Sequence, residues 1–531
     1  MKTICCILAF TVASWACTTG ASGNCEVGSG KTYSTISSCL SAMSAGQTCQ
    51  VFGNGVSYNE TATVPAGSTG NYNSLIANPG DTVFILGVTL NSHAKVNGFH
   101  IQNTSSPTSA CVSIPSSTTD FYITNNVMYA CGGVNESSAS HGFIQGNTLS
   151  YIDCTSTAPN TGPAMAIHGD HHLIENNDIS HVSDGFHFSG SFNVIRKNTM
   201  HDTLASECGS HSGNCHIDFF EDEPSAASQY NVLEENTILN NLGANGHGYL
   251  TQADVCGGQC FNVIIRFNTA AHLGTAGIID DNAFSSNPGY SYVKSYNNDW
   301  VDVGTGATFD CTNTVTHNST HGANMNDIFY WPGAQSDFNA YCTDSSTVGT
   351  YSSGHNLAYC TSTTCNIHGK NYGSGSFTDD PGNIFGQDPK FVNYAANNFA
   401  LAAGSPAIGT GTNLTTVAAG DSGSGTSLVV TDASYFQDGS GISGVSGDCI
   451  AVKAATNHVC VMTVNYTTNT LTLASAITRA AGDPVYIYGI SNGQVVLTGT
   501  NPDMGAFPSN AVAPPTGGAP APPTDLSAIV E

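Results

Sequence analysis

The chain has 531 residues, of which only 9% are charged, and 11 Lys and Arg stand against 38 Asp and Glu, giving a net charge of −27. So acidic a chain excludes nucleic acid as a partner, because phosphate binding needs clustered cations. Attachment to anionic membrane surfaces through basic residues is excluded for the same reason. The low charge and the 58 glycines favour short strands and turns over long helices.

Residues 1–23 are predicted to be a signal peptide. Lys2 supplies the positive charge, and an apolar run over 4–13 precedes small-residue cleavage sites at 16 and 21–23. No later stretch reaches the ~18 apolar residues of a membrane span. We therefore expect the protein to be secreted.

The cysteines point to the same compartment. Setting aside Cys5, Cys6 and Cys17 in the predicted leader leaves an even 16 of the 19 cysteines, which favours disulfides. Close spacing predicts local bridges within five pairs: Cys39/Cys49, Cys208/Cys215, Cys256/Cys260, Cys360/Cys365 and Cys449/Cys460.

A short pattern recurs through the middle of the chain, in which an aliphatic residue and two variable positions precede Asn. These asparagines are Asn126, Asn147, Asn177, Asn198, Asn236, Asn268 and, more weakly, Asn298. Spacings of 21 to 38 residues are typical of a solenoid, and the short Ile, Val and Phe runs between turns indicate strands. The pattern predicts a right-handed parallel β-helix in which stacked Asn side chains form a ladder of hydrogen bonds.

The residues two positions before successive ladder asparagines alternate in charge: Glu175, Arg196, Glu234 and Arg266. Coils stack about 4.8 Å apart, so opposite charges on neighbouring coils can pair. We therefore predict that both arginines are structural.

The repeat region opens on Gly28-Ser-Gly-Lys-Thr-Tyr-Ser-Thr-Ile36 and closes on Asp388-Pro-Lys-Phe-Val392 and Gly404-Ser-Pro-Ala-Ile408. Both ends resemble the pectin-lyase-like right-handed β-helix superfamily, in its secreted carbohydrate-active branch: the first segment is similar to its N-terminal cap, and the other two to its last coil. Asn501-Pro-Asp-Met-Gly-Ala-Phe507 resembles the completion of that coil. The resemblance implies an all-β solenoid plugged by a short helix at about 34–44. It does not select a reaction, because the superfamily contains lyases, hydrolases, epimerases and non-catalytic adhesins.

These signals divide the chain. Residues 24–412 are predicted to form the β-helix with its cap, and 499–508 its final segment. Strand and turn signals over 413–498 predict a small β-barrel or sandwich inserted before that segment, with a structural or a glycan-binding role. Residues 509–531 are predicted to be a Pro-rich tail.

Strand alternation predicts one outward row of polar side chains in the middle coils. Its members are His168, His187, His216, Asp218, Tyr249, Thr251 and Asp280, with Gln252 and Asp281 at its edge. Because neighbouring coils lie side by side, we expect this row to form an active face.

The chemistry expected there is glycoside hydrolysis, which needs two carboxyl groups, one of them protonated. We predict that Asp218 pairs with Asp280, and Asp281 or Glu221 could replace either of them. His187 or His216 is expected to orient a carboxylate or shift its pKa.

The remaining members of the row are expected to bind substrate: Tyr249 by stacking on a sugar ring, and His168, Thr251 and Gln252 by direct contact. Glu221, Asp222 and Glu223 are either a charged loop or a Ca²⁺ site.

Three functions stay open. The preferred one is a monomeric, cofactor-independent hydrolase acting on a polysaccharide. A lyase would need Ca²⁺, because no Lys or Arg lies on the proposed face, with His187, His216 or Tyr249 as the base. A non-catalytic glycan-binding adhesin or matrix protein fits the composition equally well.

Overall fold

The protein is a right-handed parallel β-helix, as the sequence predicts. The computed structural model describes residues 17–152, 163–204, 216–222, 228–242, 245–252, 260–274, 276–281, 291–309, 323–333, 339–341, 352–362, 365, 370–371 and 380–509. Within them the strands stack in parallel as three ladders, which form the three faces of the solenoid.

The first ladder has 13 strands. They are Cys25–Val27, Thr48–Val51, Asn73–Ala77, Ala94–Asn97, Thr119–Thr124, Ser140–Gln145, Leu173–Glu175, Val194–Arg196, Ser228–Glu234, Cys260–Arg266, Ser291–Tyr296, Ala323–Met325 and Ser352–Gly354. Its central inward row is aliphatic, and Ile144, Ile174 and Ile195 lie in direct register and are fully buried.

The second ladder follows the first after the corner that carries the ladder asparagines. Its strands are Val83–Leu90, His100–Gln102, Val127–Tyr129, Thr148–Ser150, Asp178–Ser180, Thr199–Leu204, Thr237–Leu242, Thr269–Ala271, Asp299–Val301, Ile328–Trp331, Leu357–Cys360 and Ile384–Phe385.

The third ladder shares its long strand Val83–Leu90 with the second. Its other strands are Val56–Val64, Val112–Ile114, Val134–Glu136, Pro163–Ile167, Asp184–Phe188, His216–Asp222, Asn245–Gln252, Ala276–Asp281, Thr305–Phe309, Asn339–Tyr341 and Lys370–Asn371. This ladder carries the predicted active face.

The asparagine ladder is confirmed. From Asn147 to Asn298, each ladder Asn accepts hydrogen bonds from the backbone and side-chain amides of the preceding one, as Asn198 does from Asn177 at 3.1 and 2.9 Å. The residue before each of these asparagines takes a positive φ, 56° at Asn176 and at Lys197, which turns the chain between the first two ladders. The ladder continues beyond the predicted end at Asn298 through Asp327 and Asn356.

A short helix, Ile36–Ser41, lies inside the segment that the resemblance assigns to a cap. The Thr35 hydroxyl accepts a hydrogen bond from the Ser38 amide at 3.2 Å, a typical N-cap. Ile36 and Leu40 are buried against the end of the solenoid core.

The C-terminal part begins with an antiparallel hairpin, Phe391–Asn393 and Asn398–Leu401, joined by the 3₁₀ turn Tyr394–Ala396. A six-stranded antiparallel sheet follows, with strands Thr415–Thr416, Gly423–Val429, Cys449–Val452, His458–Asn465, Thr470–Arg479 and Pro484–Gly489. The boundaries proposed for these domains stay predictions.

The antiparallel sheet packs on the outer face of the first ladder. Its apolar side chains form one buried cluster with outward residues of the solenoid such as Leu173, Val232 and Ile264. Arg266 lies within this contact, 2.7 Å from Asp448 of the sheet. The packing favours the structural role for 413–498.

Both arginines of the alternating row are structural, as expected. Arg196 pairs with Glu175 at 2.6 Å, and Arg266 donates to Glu234 at 2.8 Å. The alternation in charge therefore reports the register of neighbouring coils.

Three predicted disulfides are present, Cys39–Cys49, Cys360–Cys365 and Cys449–Cys460. Two further bridges join Cys111 to Cys131 and Cys17 to Cys25. Cys17 lies within the predicted leader, so the leader over 1–23 and the even count of the remaining cysteines stay predictions. The predicted pairs Cys208/Cys215 and Cys256/Cys260 lie outside the described side chains. No helix among the described residues is long and apolar enough to cross a membrane.

Candidate functional site

Three neighbouring strands of the third ladder position the candidate site: Asp184–Phe188, His216–Asp222 and Asn245–Gln252. Aromatic side chains anchor them in the core, since Phe186 and Phe220 are in register and both are buried. Because side chains alternate along a strand, His187, which follows Phe186, points outward. It lies next to Glu221 of the following strand.

Two acidic side chains flank this histidine. His187 Nε2 lies 2.9 Å from Glu221 Oε2 and 3.5 Å from Asp184 Oδ2. One side-chain atom from each of the three residues lies within 4.8 Å of the other two. The His187 side chain is 23% exposed, whereas Asp184 and Glu221 are largely buried. We call Asp184, His187 and Glu221 the acid–histidine cluster.

The carboxylates determine the charge of the histidine. Burial alone would lower the pKa of His187, but its contacts with Asp184 and Glu221 raise that pKa to about 10. Burial also raises the pKa of the Asp184 carboxyl, and the neighbouring His187 opposes that rise. The cluster therefore holds one imidazolium between two acids in different environments.

Asp218 supports the cluster from inside the solenoid. Its backbone N–H donates to Asp184 Oδ1 at 3.2 Å, and its Oδ1 accepts from the backbone N–H of His247 at 3.0 Å. The ring Nδ1 of His247 lies 2.7 Å from the same oxygen. Burial raises the pKa of Asp218 to about 6. The prediction that Asp218 faces outward is wrong, because its side chain is fully buried.

The prediction that Tyr249 offers a platform for a sugar ring is also wrong. Phe220 pairs with Tyr249, so Tyr249 occupies the inward row. Its ring is fully buried and makes edge contacts with Phe219 and Trp300 at 5.7 and 6.2 Å between centroids. Tyr249 therefore contributes to the core and cannot contact substrate.

The predicted pairing of Asp218 with Asp280 fails on strand register. Asp218 pairs with His247, which pairs with Ala276, whereas Asp280 pairs with Thr251. Asp280 thus lies four residues further along its strand, about 13 Å at the usual rise. Asp281, one residue beyond Asp280, is no closer to that position.

Several predicted residues are described only by their backbone. Thr251 and Gln252 pair with Asp280 and Asp281 respectively. His216 pairs with Asn245, and Asp222 with Thr251. The side chains of Thr251, Gln252, Asp280, Asp281, His216 and Asp222, and all of Glu223, lie outside the described part, so their roles stay predictions.

His168 lies beside the cluster rather than in it. Its ring Nδ1 is 2.9 Å from Ser189 Oγ, one residue past the strand that carries His187. Burial and then the charge of His187 lower the pKa of His168, which indicates a neutral ring. It stays a candidate for substrate contact.

Two members of the site were not predicted from the sequence, Asp184 and His247. Asp184 precedes His187 by three residues, and this Asp-Gly-Phe-His spacing is a signal that could have been used. His247 had none, because its place opposite Asp218 depends on strand register.

The donor set of the cluster fits Ca²⁺ poorly. Calcium prefers oxygen ligands alone, whereas this set includes an imidazole. Of the three residues predicted as a Ca²⁺ site, only Glu221 has a described side chain, and it lies with Asp184 and His187. The Ca²⁺ site at Glu221, Asp222 and Glu223 therefore stays a prediction.

No protein-family model and no curated protein matches the sequence. Among solved structures, the chain is similar to the PL6 family alginate lyase AlyGC, with a TM-score of 0.41 and 14% identity over 63% of this chain and 51% of that one. It is similar to a polygalacturonase from Erwinia carotovora ssp. carotovora, with a TM-score of 0.38 and 11% identity over 65% and 96% of the two chains.

A third similar structure is a GH87 α-1,3-glucanase from Streptomyces thermodiastaticus, with a TM-score of 0.42 and 13% identity over 68% of this chain and 71% of that one. The match spans about half the length of the alginate lyase. At these identities and TM-scores the likeness says nothing about activity.

Proposed function

We propose that this protein is an extracellular enzyme that hydrolyses glycosidic bonds of a polysaccharide at the acid–histidine cluster. The observation that carries the proposal is the pair of acids, Asp184 and Glu221, whose facing oxygens lie within 4.8 Å of each other beside the partly exposed His187. Two carboxyl groups at such a separation are what glycoside hydrolysis requires.

The surroundings suggest a role for each acid. Burial favours the protonated form of Asp184, which suits it to protonate the leaving oxygen. Glu221 lies 2.9 Å from the imidazolium of His187, which stabilises its carboxylate. The short separation resembles that of retaining glycosidases, about 5–5.5 Å, rather than the wider gap of inverting ones. Buried Asp218 and His247 act as positioning residues behind Asp184.

The same geometry disfavours elimination. A lyase needs a neutral base and a cation that stabilises the developing charge. Of the three candidate bases, Tyr249 is in the core and His187 is held protonated, which leaves His216. The strands Asp184–Phe188, His216–Asp222 and Asn245–Gln252 contain no Lys or Arg. Hydrolysis is therefore the preferred reaction.

The test is a panel of polysaccharides, assayed for new reducing ends and for the ultraviolet absorbance of unsaturated products, with and without chelator. Hydrolysis gives reducing ends without that absorbance. Glu221→Gln and Asp184→Asn should each lower kcat by roughly 10²–10⁴-fold, the usual contribution of acid–base groups. Thermal unfolding of both variants checks that they remain folded.

A matched control exists on the second ladder, where His201 lies 3.0 Å from Asp178 and 2.8 Å from Asp202. Asp178→Asn should leave kcat unchanged. Unsaturated products that disappear with chelator would establish a lyase instead. Glycan binding without turnover across the panel would establish the adhesin.

A further inference from the structure

A second polar surface lies on the first ladder, on a different face from the acid–histidine cluster. The antiparallel sheet covers the outer side of this ladder from Phe143 onward. Just before Phe143, Tyr72, Lys95 and Tyr122 lie on the outer face and are all partly exposed. We call these three residues the aromatic shelf.

Lys95 is held between the two tyrosines. Its Nζ lies 4.5 Å from the ring centroid of Tyr72 and 4.4 Å from that of Tyr122. The two rings meet edge to face at 5.4 Å, and Tyr122 stacks on Phe143 at 4.6 Å. These contacts fix the ammonium at a defined place on the surface.

Lys95 also differs from the other cations of the chain. The other Lys and Arg side chains in the described part pair with carboxylates, as Lys31 does with Glu26 and Arg479 with Asp421, except for Lys390, which donates to the Gly404 carbonyl. Lys95 has no carboxylate at ion-pair distance among the described residues. In a chain of net charge −27, Lys95 is therefore a cation that two aromatic rings hold without an ion pair among the described residues.

Neutral hydrogen-bonding groups lie beside the ammonium. Asn97, two residues along the same strand, accepts from the Thr124 hydroxyl at 2.9 Å and from the Asn125 amide at 2.8 Å. One acid lies close to the shelf: Asp120 is 3.5 Å from His93. Burial raises the pKa of both tyrosines of the shelf, and the charge of Asp120 adds to that rise. The shelf therefore combines one cation, aromatic rings, amides and hydroxyls, with one acid beside it that pairs with a histidine.

We propose that the aromatic shelf binds acidic sugar residues of a polysaccharide. The Lys95 ammonium would pair with the sugar carboxylate, and the groups around Asn97 would meet ring hydroxyls. Tyr72 adds an apolar surface for the sugar ring. The net charge of the chain does not prevent this, because charges beyond ~8 Å are largely screened at physiological ionic strength. The shelf requires no cleavage and is independent of the proposed hydrolysis.

The experiment measures binding in the Glu221→Gln background, in which the proposed turnover is slowed. Calorimetry with oligogalacturonates and with neutral galactose oligomers of equal length is done at physiological ionic strength. Lys95→Gln should weaken uronate binding about 10-fold, the usual effect of losing a charge-assisted hydrogen bond. Lys95→Arg should retain binding, and neutral oligomers should bind weakly to all variants.

Lys453→Gln is the matched control, because Lys453 lies on the antiparallel sheet with its side chain 73% exposed. Uronate affinity that is the same in Lys95→Gln as in the parent, or equal affinity for neutral oligomers, overturns the proposal. If the wild type cleaves nothing but shows binding that depends on Lys95, the shelf stands and the proposed hydrolysis fails.

Discussion

One residue interrupts the ladder of buried asparagines. Asp327 takes the position of an Asn, and its Oδ1 accepts from the backbone and side-chain amides of Asn298 at 2.6 and 3.2 Å. Its Oδ2 accepts from the Ser295 hydroxyl at 3.1 Å and from the Trp300 indole at 3.3 Å. Despite these donors, burial raises the pKa of Asp327 to about 7. The folded protein therefore binds this proton more tightly than the unfolded chain does.

This predicts how stability depends on pH. The pKa of Asp327 is higher in the folded protein than in the unfolded chain, so the proton on Asp327 stabilises the folded state. This stabilisation is fully present below about pH 4 and is lost as the pH rises through about 7. Between these limits the free energy of unfolding should fall by at most roughly 1.4 kcal/mol per pH unit relative to Asp327→Asn. Chemical denaturation of both proteins across this range measures the difference. If the free energy of unfolding depends on pH in the same way in the wild type and in Asp327→Asn, the prediction is contradicted. The control is Asp388→Asn, which changes an exposed acid and should follow the wild type.

The position of Tyr249 gives a second prediction at this scale. Because its ring is buried with Phe219 and Trp300, Tyr249→Ala should lower the free energy of unfolding by about 3–5 kcal/mol. Tyr249→Phe keeps the ring and should change stability and KM little. Thermal unfolding and kinetics distinguish a core role of Tyr249 from a sugar-binding role. If Tyr249 bound sugar, Tyr249→Ala would have a higher KM and an unchanged Tm.

At the scale of elements, the asparagine ladder holds the coils in register. Asn236 accepts from the backbone and side-chain amides of Asn198 at 3.0 and 3.1 Å, and donates to the Ile195 carbonyl and Asn268 Oδ1 at 2.9 and 3.1 Å. Removing this side chain leaves polar groups unpaired in the interior, and each such group costs about 1–3 kcal/mol.

Asn236→Ala should therefore destabilise the solenoid by roughly 3 kcal/mol. Half-buried Asn240 provides the comparison, because its side chain makes one bond, to Asp202 at 2.9 Å. Asn240→Ala should cost less than about 1 kcal/mol. Denaturant unfolding measures both, and equal losses would argue against a special role for the ladder.

The sequence predicted the ladder and the first two faces of the solenoid because one short pattern fixes their spacing. The same Asn turn separates their strands in each coil, so alignment of the asparagines also aligns Glu175 with Arg196. The third ladder has no such anchor, because segments of varying length precede its strands. A one-residue error there moves a side chain to the opposite face. This is why Tyr249 and Asp218 were placed outward, although both are buried. His187 was placed outward correctly, whereas Glu221, expected in a charged loop or a Ca²⁺ site, lies in the strand His216–Asp222.

At the scale of the whole molecule, buried charge joins the antiparallel sheet to the solenoid. The Arg266 guanidinium donates to both carboxylate oxygens of Asp448 at 2.7 Å, to Glu234 at 2.8 Å and to the Tyr296 hydroxyl at 2.9 Å. All these side chains are buried, so the acids depend on the arginine for their neutralisation. Around them, the apolar outer face of the first ladder is covered by the sheet.

Removing the guanidinium should therefore separate the two parts. Arg266→Met leaves Glu234 and Asp448 as buried acids without their cation. This should destabilise the contact between the antiparallel sheet and the solenoid by about 3–5 kcal/mol. We expect a second transition in calorimetry and increased binding of a hydrophobic dye, because the apolar face becomes exposed. Exposed Lys453→Met should keep the wild-type transition. If Arg266→Met instead unfolds in the same transition as the wild type with no loss of Tm, apolar packing alone holds the sheet on the solenoid.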